Sequence, residues 1–150
     1  MKPVTIWLYR AVGAGVAIAL MEVLARLAGE PLARLPFVTS IVLTMSVPDI
    51  EAAQPYAVIA GHLLSTLAGF IALWCFGVGT SAAAVGVGLA AFLMLSARAM
   101  HPPAGIDGFL VPLLGLPLVW ALQPVLIGAG LLALFARLWS RGEGLLPRRG

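Results

Sequence analysis

Between Ala52 and Ala97 the chain runs for 46 residues without one formally charged side chain. A membrane-spanning helix takes about 20 apolar residues, so this stretch has room for two spans and a turn. Gly77-Val78-Gly79-Thr80-Ser81 supplies the turn,. The rest of the composition agrees. Of 150 residues, 61% are hydrophobic and 10% charged, against about 25% charged in soluble domains, and mean hydropathy is +1.05. The expected class is therefore an all-α integral membrane protein of one domain, with the lipid bilayer as its first partner.

The net charge of +3 is carried toward the two ends by Arg10, Arg137, Arg141, Arg148 and Arg149. That is positive-inside anchoring, not a nucleic-acid surface. It predicts a multi-pass protein of the cell inner (plasma) membrane with both termini in the cytoplasm. Lys2 followed by Val4 to Leu8 resembles the start of a signal peptide, but the apolar region continues past a signal's length and holds Glu22 and Arg26,. It is read as a retained first span. The single cysteine, Cys75, lies in an apolar run, and no Cys/His spacing suits a metal,. No catalytic residue, metal or cofactor is expected.

Taken in order, span one covers about Pro3 to Ala28. Ala11, Gly15 and Ala19 recur at four-residue spacing, a stripe that would let another helix approach closely,. Glu22 and Arg26 are also four apart, acid first, the better order for a helical ion pair. Gly29, Pro31 and Pro36 then mark a break that holds Glu30 and Arg34. Phe37 to Val47 is too short to span: 11 residues reach about 17 Å of a core about 30 Å thick. Thr39, Ser40 and Thr44 give it a polar face, and its N-terminal N–H groups would suit an anion. After Pro48-Asp49-Ile50-Glu51, Gln54-Pro55 opens a span of about Tyr56 to Phe76. Along it Gly61, Ser65 and Gly69 form a close-packing face, and His62, Ser65, Thr66 and Gly69 share one stripe,. The next span, about Ala82 to Met100, carries Gly86 and Ala90. A second short segment, about Phe109 to Leu116 with Pro112 inside, precedes a final span of about Val125 to Trp139. Gly142 to Gly150 is read as a flexible basic tail.

The sharpest interruption is His101-Pro102-Pro103-Ala104-Gly105, flanked by Arg98 and Asp107. Proline cannot continue a helix interior, and irregular backbone at membrane depth survives only where it is buried in protein or lines a wet cavity. Shifting the sequence by 69 residues places Pro48 on Pro117, Gln54-Pro55 on Gln123-Pro124 and Gly61 on Gly130. The chain then divides into pseudo-repeat halves, about 10–76 and 80–139. Each reads as long helix, break, short segment, turn, Gln-Pro, long helix. The arrangement preferred is four full spans plus two half-length segments, re-entrant or broken; six crossings with inverted halves is the alternative. His62 falls on Leu131, and His101 on Leu32, so both histidines break the repeat, as an asymmetric ligand requires. Candidate substrate-binding residues are His101, Pro102, Pro103, Gly105, Asp107, Arg98, Thr39, Ser40, His62, Gln54 and Gln123.

The His101-Pro102-Pro103-Ala104-Gly105 run resembles the HPP family of small integral membrane proteins, over roughly residues 10 to 140. Pro36-Phe37 with Ser40, and Gln54-Pro55 followed by Val58-Ile59-Ala60-Gly61-His62, are similar to two further motifs of that family. The family commonly has Ala and Asn where this chain has Ile106 and Asp107, and Gly where it has Val38 and Ala60. The resemblance implies a four-span membrane protein engaged in transport, with plant plastid members associated with nitrite. The expected function is thus a transporter or channel for a small solute, an anion such as nitrite, in which a histidine couples proton uptake to anion movement. A carboxylate at Asp107 would repel a bound anion. So few spans predict a homo-oligomer. An interaction or assembly subunit without its own substrate is the alternative. An intramembrane enzyme is the least favoured reading, since no His-Glu-x-x-His-type spacing occurs.

Overall fold

A computed structural model describes residues 3–29 and 36–144, and within these the protein is helical with no strand. Six helices follow in order: α1 (Pro3–Ala28), α2 (Val38–Ser46), α3 (Pro55–Phe76), α4 (Thr80–Ser96), α5 (Gly105–Leu114) and α6 (Ile127–Glu143). Three segments are long and apolar enough to cross a membrane: Val4–Leu27, Pro55–Phe76 and Ala121–Glu143. Thr80–Ser96 and Pro102–Leu114 are apolar but shorter. The expected break at Glu30, Pro31 and Arg34, and the tail arginines Arg148 and Arg149, lie outside the described residues; Gly142 and Glu143 belong to α6.

Successive helices alternate in direction. Arg10, near the start of α1, donates from Nε and Nη2 to the two carboxylate oxygens of Glu143, each at 2.9 Å, and from Nη1 to the Ser46 carbonyl at 2.9 Å. Tyr9 Oη donates to the Trp139 carbonyl at 2.9 Å, and the two rings stack. The start of α1 and the ends of α2 and α6 therefore meet at one end of the bundle. Two-pronged arginine–carboxylate geometry of this kind fixes orientation as well as adding energy. α2 runs back along α1, sharing a core of Ala17, Met21, Ala25, Phe37, Ile41 and Met45 with Val58, Ala129 and Leu132. α5 is wedged between α3 and α4, alongside α3 and against the direction of α4. Gly69 and Gly86 admit it: a Cβ on Gly69 would sit 2.8 Å from Val111 Cβ, and one on Gly86 would overlap the Gly108 carbonyl oxygen. That carbonyl is free to face α4 because its helical partner would be the N–H that Pro112 lacks. The close-packing faces expected on the third and fourth helices are thus used.

The face expected on α1 is not used within the chain. Ala11, Gly15 and Ala19 are exposed, and Gly13, Ala17, Met21 and Ala25 turn inward. Two positions along a helix are about 200° around it, so the inward stripe lies nearly opposite. The Trp139 indole selects it, occupying the space a side chain at position 13 would need. Glu22 and Arg26 do pair, Nε to Oε1 at 2.7 Å, on the exposed surface. α4 stops at Ser96, short of the expected Met100, because Arg98 takes a left-handed conformation (φ +53°). Its N–H and that of Ala99 close back on the carbonyls of Leu95 and Met94, the two bonds of a Schellman ending. α5 begins at Gly105, four residues before the expected Phe109, because Pro102–Ala104 form a tight helical turn that leads straight into it. Elsewhere the outward surface is apolar, with Leu8, Trp74, Phe76, Phe92 and Leu95 each more than 60% exposed. A surface of that kind suits lipid.

Candidate functional site

The polar residues buried inside this apolar bundle gather in one place. Ser40, Thr44, His62, Ser65, Thr66, His101 and Asp107 are all at most 2% exposed. Four of them form a chain of hydrogen bonds. Ser40 Oγ, in the first turn of α2, lies 2.9 Å from His62 Nε2 and 2.8 Å from His101 Nε2. His62 Nδ1, two turns into α3, lies 2.8 Å from Asp107 Oδ2 in the first turn of α5. His101 Nδ1 donates to the Ala52 carbonyl at 2.6 Å. Thr66 Oγ1 donates to Asp107 Oδ2 at 3.2 Å. Around the chain, the Gly108 N–H donates to Ser65 Oγ at 2.9 Å, and Thr44 Oγ1 donates to the Ser40 carbonyl at 2.8 Å. The Phe37 ring packs against His62, with centroids 4.7 Å apart.

Local sequence explains each placement. His101 is aimed by the turn behind it: Pro102 and Pro103 fix the backbone and Gly105 opens α5. None of the three is polar enough to make the contacts that His101 makes. Gly61 lets the His101 backbone approach, since a Cβ there would sit 2.7 Å from His101 Cβ. Asp107 falls in the first turn of α5, where a helix dipole favours an acid. One atom is left over. Asp107 Oδ1 is buried and has no hydrogen-bond partner.

Beside the cluster a cavity of about 360 Å³ is lined by Thr44, Pro48, Ala53, Gln54, Pro55, Ala133, Ala136, Arg137, Ser140 and Arg141. Its lining holds two arginines and no carboxylate. Of its lining, Thr44 is one helical turn from Ser40, and Ala53 follows Ala52, whose carbonyl accepts from His101.

Of the sequence candidates, then, Ser40, His62, His101 and Asp107 converge. Thr39 is exposed on the outer side of α2. Gln54 lines the cavity, and its amide donates to the carbonyls of Pro48 and Ile50 at 3.0 and 3.2 Å, closing the turn before α3. Gln123 sits at the non-helical kink ahead of α6 and lines a different, apolar recess with Met21, Leu24 and Pro124. Arg98 is exposed, and its contribution is the backbone turn that ends α4. In the sequence, Ser65, Thr66 and Thr44 stand out only as members of polar stripes, and Arg137 and Arg141 only as anchors. Among the described residues, no three His, Cys, Asp or Glu side chains are placed to hold one metal ion.

The role of Arg98 has a measurable consequence. A left-handed conformation costs a residue with a Cβ about 1–2 kcal/mol, against about 0.5–1 kcal/mol of entropy for Gly. Arg98→Gly is expected to raise the thermal midpoint in detergent slightly and to leave the buried cluster unchanged. A clear fall in midpoint would mean that the guanidinium, not the backbone, matters here.

A bundle with an apolar exterior, spanning-length helices and a buried polar cluster is that of an integral membrane protein. The sequence profile of the family described as "HPP, transmembrane region" matches residues 1–145, and the chain belongs to that family. No curated protein and no solved structure matches the chain.

Proposed function

We propose that this protein carries a small solute across the membrane, that a small monovalent anion such as nitrite is the solute class to test first, and that the Ser40–His62–His101–Asp107 cluster is the barrier in its path. The observation that carries the reading is the cluster itself. Ionisable groups inside a membrane bundle are costly and mark solute or proton pathways. Here three sit together where the N-terminal ends of the two short helices meet. The arginine-lined cavity supports an anion, because two cations without a carboxylate raise the local anion concentration at its mouth. The alternating helix directions support six crossings, with α2 and α5 each completing a broken span. The halves are then inverted, and interrupted helices meet at a central site, as in many transporters. A homo-oligomer in the inner membrane, with both termini cytoplasmic, completes the proposal.

Uptake by proteoliposomes over a panel of nitrite, nitrate, formate, chloride and monovalent cations tests it. Saturable uptake of one or more anions above empty vesicles is expected. No flux of any solute would overturn it and favour an assembly role.

A further inference from the structure

We propose that the buried chain from Ala52 to Asp107 is a binding site for one proton, so that each solute the protein carries moves together with a proton. The argument is a count of hydrogens. Four contacts must be filled: Ala52 O with His101 Nδ1, His101 Nε2 with Ser40 Oγ, Ser40 Oγ with His62 Nε2, and His62 Nδ1 with Asp107 Oδ2. Each needs one hydrogen between its two heavy atoms. Two neutral imidazoles supply one each, the serine hydroxyl supplies one, and an ionised carboxylate supplies none. That makes three for four contacts.

The shortfall falls at one of the two His62 contacts. A carbonyl only accepts, so the first hydrogen must sit on His101 Nδ1. With His101 neutral, its Nε2 accepts from the Ser40 hydroxyl, whose one hydrogen is then used. The single hydrogen of a neutral His62 serves either Ser40, at 2.9 Å, or Asp107, at 2.8 Å, and whichever contact it leaves sets two acceptors face to face. Two acceptors at that distance repel. One added proton, bonded to Asp107 Oδ2 and donated to His62 Nδ1, leaves the His62 Nε2–H for Ser40, fills the fourth contact and brings the cluster's net charge to zero. Neutrality on the acid also suits the unpartnered Oδ1, because a buried carbonyl oxygen lacking a partner costs far less than a buried ionised one.

Among the described residues, no other charge can take the proton's place. α4 carries no titratable side chain, and α2 has none. On α3, Tyr56 and Cys75 are exposed. On α1 and α6, Glu22 pairs with Arg26 and Arg10 with Glu143, away from the cluster, while Arg137 and Arg141 are exposed at the cavity. Asp49, Glu51 and Arg98 are exposed in the turns. Loss of the proton would set α2, α3 and α5 against one another at the single point where they meet. The proton therefore also holds the barrier shut, and this coupling, unlike the proton site, rests on the transport reading above.

Infrared difference spectra of the reconstituted protein between acidic and alkaline buffer test the site, with Asp107→Asn alongside. The asparagine amide donates to His62 Nδ1 and fills the fourth contact without a proton, so this variant is expected to fold. The wild type is expected to show a carboxylic-acid band that converts to carboxylate, absent from the variant, and to release one proton more per chain. ¹⁵N spectra of labelled histidine in the wild type, which need no variant, are expected to show His62 changing over the same pH interval with His101 protonated on Nδ1 throughout. An absent band, a band that never titrates, or a difference other than one proton overturns the site. Flux without the titrating band would leave transport standing and remove the proton; a titrating band without flux would do the reverse.

Discussion

His62→Ala is expected to destabilise the protein by about 3–5 kcal/mol, the cost of removing one partner from a buried charged or proton-sharing pair. Three losses add. Asp107 Oδ2 keeps only the Thr66 hydroxyl, at 3.2 Å, and Oδ1 already has nothing. Ser40 loses one of its two imidazoles. The Phe37 ring loses the surface it packs on, and the space left is too deep to fill by collapse, because α2, α3 and α5 are held elsewhere by α1, α4 and α6. Thermal and denaturant unfolding in detergent measure the first effect, and the proteoliposome assay the second, where flux is expected to vanish. His62→Gln separates packing from connectivity, since its amide offers a donor and an acceptor in a similar volume and is expected to recover part of the stability. A loss below about 1 kcal/mol for His62→Ala would mean that water reaches Asp107 freely, and the cluster would no longer be a barrier.

What could be read beforehand was whatever local chemistry or helical period decides. The break at His101-Pro102-Pro103-Ala104-Gly105, the two short helices, the Gln-Pro openings and the glycine faces of α3 and α4 all follow from residues within a turn or two of each other. Partnership across the chain did not. His62 and Asp107 are 45 positions apart, and nothing in either neighbourhood names the other. Thr39 and Ser40 are equally polar neighbours about 100° apart around α2, so only the docking of α2 on α3 and the His101 turn could choose Ser40. The stripe of α1 that packs within the chain was hidden for the same reason, because the bulk of Trp139, 126 positions from Gly13 along the sequence, decides which small residues face in. Arg98 misled through its charge, when the position required a backbone conformation and the side chain was left in the open. As an isolated carboxylate, Asp107 is an obstacle to anion binding. Beside His62 and a chain one hydrogen short, it becomes the group proposed to take up the missing proton.

Two alanine substitutions on one helix separate packing from propensity. Gly86→Ala is expected to cost about 1–3 kcal/mol, the usual range for overpacking a tight core, and Gly88→Ala is expected to be neutral or to stabilise by no more than about 1 kcal/mol. The chemistry is identical, and the positions are two residues apart. A Cβ on Gly86 would overlap the Gly108 carbonyl oxygen and sit 3.1 Å from its carbon, both backbone atoms that no rotamer change can move aside. A Cβ on Gly88 meets nothing within 4 Å, so only the backbone entropy that Ala saves is felt. The Gly86 methyl must push α5 bodily away from α4, and Asp107 lies next to the displaced Gly108. A shift of a few tenths of an ångström there lengthens the His62–Asp107 contact from its 2.8 Å. Gly86→Ala should therefore impair flux as well as lower the thermal midpoint, with no polar residue altered. Equal midpoints for the two variants would show that α4 and α5 are not in the close contact on which the position of Asp107 depends.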